Sequence, residues 1–186
     1  LNKEQLEEQI MELYDKFSEV KVYYDFAFNP NEEKLVREAK FKISNEYFPV
    51  KSKKPKMRRS VAQKFIKHFT TLGVDAFIIA DLMLYNIEIA QTYSAEKLVK
   101  QELFFKSMLT SFQQAVSFMI EKGILDDFKN RVVAVKEETM TQNWFNQYEF
   151  IAVILEHFFE TPKQFKSEFP ELFEQVKIMI NFNEVI

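Results

Sequence analysis

Val74–Tyr93 reads VDAFIIADLMLYNIEIAQTY. Phe77, Ile78, Ile79, Leu82, Met83, Leu84, Ile87 and Ile89 fall on every side of a helix with 3.6 residues per turn. A helix without a polar face is buried all round, so this one is expected at the centre of the fold. Asp81, Asn86 and Glu88 interrupt the apolar run. A bilayer span needs ~20 mostly apolar residues, so the stretch reads as a core helix rather than a membrane anchor. Asp81, Tyr85 and Glu88 stand at i, i+4 and i+7 and share one stripe. Buried carboxylates are costly unless paired. Arg37, Arg58 and Arg59 are the expected partners, since a guanidinium grips a carboxylate bidentately. The same three side chains could instead line an acid/base or metal-binding pocket.

Outward from this helix, local signals set the other boundaries. Gly73 suits the left-handed position after a helix, and Asp75 suits a cap before one. Upstream, Ser60 with Gln63 predicts a capping box that opens a helix bearing Val61, Ala62, Phe65, Ile66 and Phe69. Asn2 with Gln5 predicts another. It opens a first helix with a stripe at Leu6, Ile10, Leu13, Phe17, Val20 and Tyr24, ended near Phe28 by Asn29-Pro30. Pro30 is expected in the first turn of the next helix, which buries Leu35, Val36, Ala39 and Ile43 and stops before Pro49. Downstream, Ser94 is expected to cap a long helix closed by Gly123, roughly 40 Å in length. Ile124–Val135 is ambiguous, because Val132–Val135 could be extended. Thr139 and Gln142 predict a further cap, for a helix carrying Trp144, Tyr148, Ile151, Leu155 and Phe159. Pro162 and Pro170 restart the chain, and the last helix is expected to bury Leu172, Phe173, Val176, Ile178 and Met179.

Composition agrees with helices. Phe occurs 21 times and Gly twice in 186 residues, which leaves few residues for tight hairpin turns. The expected fold is all-α, with seven to nine helices in an irregular multi-helix bundle or a short HEAT-like array. One all-helical domain is expected over 1–186, with a helical hairpin at 3–48, a basic loop at 49–59 and a main body at 60–182. The absence of cysteine removes disulfides and thiolate metal sites and suits a reducing, cytoplasmic location. Glycines at 73 and 123 alone exclude phosphate-binding loops, dinucleotide fingerprints and nucleophile elbows. Two histidines 89 residues apart leave no zincin or di-metal helical motif. No cofactor is called for.

Charge is uneven along the chain. Residues 51–75 carry a net +7, between −4 before them and −6 after. Lys51, Lys53, Lys54, Lys56, Arg58, Arg59, Lys64 and Lys67 therefore form a candidate partner-binding segment, for an acidic protein surface or for nucleic-acid phosphates. No reader motif surrounds them, so sequence-specific base recognition has no support. Paired aromatics such as Tyr23-Tyr24, Phe104-Phe105 and Phe158-Phe159 read as core packing, with exposed members marking an interface.

The phrases YYDFAFNPNEEKL (23–35), KPKMRRSVAQKFIKHF (54–69) and DLMLYNIEIAQ (81–91) resemble an uncharacterised bacterial family, one of the helical domains of unknown function. The resemblance covers roughly Leu6 to Phe159. It implies a small, soluble, cytoplasmic bacterial protein with an all-helical fold and brings no catalytic residues with it. The function expected is a non-catalytic module that binds another protein. The alternative is weak, sequence-independent nucleic-acid binding through 51–67. The third reading is an enzyme with its pocket at Asp81, Tyr85 and Glu88.

Overall fold

The Asp75 carboxylate accepts a hydrogen bond from the Phe77 amide at 2.8 Å, and this caps the apolar helix as its sequence predicts. The computed structural model describes residues 2–50, 54–144, 159, 162–168 and 170–179. Among the described residues there are nine helices and no strand. In chain order they are α1 (Lys3–Lys16), α2 (Ser18–Phe28), α3 (Glu32–Tyr47), α4 (Arg59–Leu72), α5 (Ala76–Glu96), α6 (Glu102–Glu121), α7 (Leu125–Thr141), α8 (Pro162–Glu168) and α9 (Pro170–Met179).

Helix α5 packs against α3, α4, α6 and α7. In a solenoid each repeat contacts only its neighbours, so this is a bundle around one central helix rather than a HEAT-like array. The core includes Ile43, Tyr47, Phe69, Leu82, Leu84, Ile87, Met108 and Met119. Aromatic rings close its far side, where Tyr47, Tyr93, Phe104, Phe105 and Trp144 meet at centroid separations of 5.2–6.5 Å. Trp144 keeps its indole N–H satisfied by Ser94 Oγ at 3.1 Å and Gln142 Oε1 at 3.0 Å. Helix α8 reaches α6, and α9 packs on α8 through Phe165 and Phe173.

Local signals hold where the partner is the adjacent backbone. Asn2 and Gln5 form their capping box. Gly73 sits at φ +70 and Gly123 at φ +67. Pro162 and Pro170 begin their helices. Several expectations are corrected. The predicted first helix is two, because Phe17 turns extended (φ −119, ψ 116). Tyr14 Oη donates to Asp25 Oδ1 at 2.6 Å and ties the two pieces together. Pro30 precedes the cap, and Asn31 accepts from the Lys34 amide. Ser60 lies inside α4, which starts at Arg59 without a side-chain cap. Ser94 belongs to the last turn of α5, with its hydroxyl on Gln91 O and Gln142 Oε1. The chain leaves the helix at Lys97, so α6 can fold back along α5; one unbroken helix could not. Val132–Val135 is helical in α7, where packing on α5 outweighs the small propensity cost of β-branching. Thr139 is buried within α7 and bonds Lys136 O instead of capping a new helix. Of that expected helix, 145–158 lies outside the described residues. Ile178 is exposed in α9, while Phe173 and Val176 are buried.

Among the described residues one buried side-chain group lacks compensation. Asn86 is 2% exposed, and its Nδ2 finds no hydrogen-bond partner among them. An unpaired buried donor costs about 1–3 kcal/mol, so Asn86→Leu, of similar shape, is expected to raise the thermal midpoint by about 2–12 °C. A fall measured by calorimetry would show that the amide is satisfied in solution.

Candidate functional site

The polar stripe of α5 is closed by charges from two sides. Arg131, from α7, lies across both carboxylates. Its Nε donates to Glu88 Oε1 at 2.6 Å, its Nη2 to Glu88 Oε2 at 2.8 Å and its Nη1 to Asp81 Oδ1 at 2.6 Å. Lys40, from α3, holds the other Asp81 oxygen at 2.7 Å, with its ammonium 5.0 Å from the Tyr85 ring centroid. The Tyr85 hydroxyl meets Ser44 Oγ. All four charged side chains are about one-third exposed. Burial pushes the Asp81 carboxyl up, but the hydrogen bonds from Lys40 and Arg131 together outweigh it and hold the carboxyl below its usual range. Arg131 is raised, by the Glu88 hydrogen bonds first, against burial, with Asp81 adding to it. The expected partners Arg37, Arg58 and Arg59 are not the ones used. The correct residues stand on helices 40 or more positions away in sequence, and no periodicity in α5 points to them.

Both arginines of the basic segment are tied to the bundle, each at a different place, although Arg58 stays exposed. Glu46 is buried near the end of α3 and takes Arg58 by Nε at 2.8 Å and Nη2 at 2.8 Å, with the Arg58 amide at 3.3 Å. The Glu46 carbonyl accepts from the amides of Lys56 at 2.9 Å and Met57 at 3.0 Å, and Met57 adopts φ +50. One residue thus anchors the whole approach to α4. The Arg58 hydrogen bonds, over the opposing effect of burial, hold the Glu46 carboxyl below its usual range. Arg59 has neutral partners, Ser111 Oγ at 2.8 Å and Gln114 Oε1 at 2.6 Å. Lys54, Lys56, Lys64 and Lys67 are exposed. Lys51 and Lys53 lie outside the described residues.

This anchoring forms a groove of about 520 Å³, lined by Phe41, Asn45, Glu46, Pro49, Val50, Lys54, Lys56 and Arg58. Phe41 is 56% and Val50 75% exposed, so its apolar part faces solvent beside two lysines. Neither Phe41 nor Val50 belongs to a site expected from the sequence; the signal for Phe41 is a large apolar residue off the buried stripe of α3. The aromatics divide much as expected: Phe104 and Trp144 are core, while Tyr23, Phe28 and Phe159 are exposed. His68 is half-buried, and His157 lies outside the described residues. Among the described residues no group of three or more His, Asp or Glu side chains is placed to hold a metal ion, and no helix is long and apolar enough to cross a membrane.

These features define an all-helical bundle with an internally neutralised polar stripe and a basic, partly apolar outer groove. The chain belongs to DUF6155, a family of unknown function, matched over residues 1–159. That span runs from α1 through α7 and includes both sites. No curated protein and no solved structure matches the chain.

Removing Arg131 takes the cation from Glu88 and leaves Asp81 with Lys40 alone. Arg131→Met is expected to cost about 2 kcal/mol by denaturant unfolding, below the range for a fully buried pair because the site is one-third wet. Acid should act through the same groups. Asp81 and Glu46 are both depressed on folding, so their contribution is complete above their unfolded values of about 4 and is lost as pH falls below that. Unfolding followed from pH 7 to pH 3 should therefore steepen below about pH 4.5, and Asp81→Asn should flatten that limb. An unchanged acid limb in Asp81→Asn would remove Asp81 from the account.

Proposed function

We propose that the protein is a non-catalytic, soluble helical module of the bacterial cytoplasm that binds another protein through the groove at the end of α3. The observation that carries this reading is the exposure of Phe41 and Val50 beside Lys54 and Lys56, on a backbone held by Glu46. An apolar floor with a polar, charged rim is the usual anatomy of a protein-binding patch. Its cations favour a partner segment that is acidic as well as apolar. The cysteine-free sequence supports a reducing compartment.

Weak nucleic-acid binding through 51–67 is the second reading. It draws on Lys54, Lys56, Lys64 and Lys67, but Arg58 is committed to Glu46 and Arg59 to Ser111 and Gln114. An enzyme at Asp81, Tyr85 and Glu88 has the least support, since Arg131 and Lys40 occupy its carboxylates.

Two measurements separate these readings. Tagged wild type should retain a partner from native extract that Val50→Asp with Lys54→Glu and Lys56→Glu loses, at unchanged helicity. Equal retention by both would sink the groove. Titration with generic single- and double-stranded nucleic acid at low salt is expected to show no binding. Saturable binding that weakens steeply with added salt would instead favour the phosphate reading.

A further inference from the structure

Helix α1 has the composition of an interface and the packing of an arm. Leu6, Ile10 and Leu13 recur at i, i+4 and i+7, the spacing of one apolar stripe, and Phe17 follows at the extended residue that ends the helix. All four are between 39% and 45% exposed, and no residue of α1 is buried. The helix packs against α2, and none of its residues lines the groove of its own chain. Its remaining surface is acidic: Glu4, Glu7, Glu8, Glu12 and Asp15 against Lys3 and Lys16. An amphipathic helix laid into an apolar groove is a recurrent mode of recognition, and here the charges of helix and groove are opposite.

We infer that the groove receives α1 of a second copy of this chain, so that each copy lends its arm and accepts the other's. The inference rests on the groove reading above and names its occupant. The apolar stripe of α1 meets Phe41 and Val50, and its glutamates face Lys54 and Lys56. Arm and groove lie on different parts of one chain, and a two-fold arrangement of two copies makes a pair of identical contacts that leaves neither surface open. The extended residue at Phe17 ends α1, and the Tyr14–Asp25 hydrogen bond braces the arm on α2.

The absence of cysteine makes the contact directly readable. Ile10→Cys and Val50→Cys chains are mixed and treated with a short bis-maleimide, and the products are resolved by mass. Mixed Ile10→Cys/Val50→Cys dimers in excess over like pairs are expected. Light scattering on wild type should give a dimer mass, and Lys54→Glu with Lys56→Glu should weaken the dimer about tenfold or more, as loss of facing charge pairs does. Cross-linking of Ile10→Cys chains chiefly to one another would overturn the exchange in favour of arm-on-arm pairing. A monomer at all concentrations would overturn it as well. If that monomer still loses an extract partner on Lys54→Glu/Lys56→Glu, the occupant is wrong and the groove stands. If retention ignores the substitutions, both fall.

Discussion

Arg131 holds this bundle in one arrangement. Asp81 and Glu88 stand seven residues apart on the central helix, a rise of about 10.5 Å, and a single guanidinium spans them. Lys40 takes the remaining Asp81 oxygen from the opposite flank. Helices α3 and α7 are thereby registered on α5 by charge as well as by packing. Apolar contacts alone tolerate sliding and repacking. An arginine fork across two carboxylates tolerates little, because a shift strands charge in a half-buried site. The same closure engages both acids in ion pairs within the bundle.

Glu46 plays the corresponding role at the surface. It spends its carboxylate on Arg58 and its carbonyl on the amides of Lys56 and Met57. The result is a fixed turn in a stretch whose composition reads as a loose basic loop. Pairing Arg58 with Glu46 also reshapes the outer electrostatics. What faces solvent beside Phe41 and Val50 is Lys54 and Lys56, together with an Arg58 whose charge Glu46 answers. Lysines without a guanidinium fork suit a point-charge contact better than bidentate phosphate recognition.

The first helix completes the picture by contrast. Its capping box and i, i+4 ion pair between Lys3 and Glu7 support it locally, yet its apolar stripe is left on the surface. Propensity can build such a helix, but most helical stability in water comes from burying the apolar face. Acidic arm and basic groove on one chain supply that burial between copies without a new element.

Much of the fold was legible because its signals are local. An Asx side chain reaches an amide two or three residues on, as at Asn2 and Asp75, and only glycine enters φ near +70 without strain, as at Gly73. The all-round apolarity of 75–93 likewise announced a central helix. The same reasoning failed at Ser60, Ser94 and Thr139. A hydroxyl bonds a carbonyl one turn back as readily as it caps, and tertiary packing decided which. The carboxylates of α5 plainly required cations. Their sequence could not choose Arg131 and Lys40 over Arg37, Arg58 and Arg59. So the sequence by itself determined helix identity, the central helix and the need for buried charge pairs, since each depends on residues within a turn or two. The tertiary structure decided which cations answer, where the groove opens and which apolar stripe stays uncovered. Those depend on distances between helices, such as the cations that reach α5 from 40 to 50 residues away, and on contacts like Glu46–Arg58 that bridge a loop.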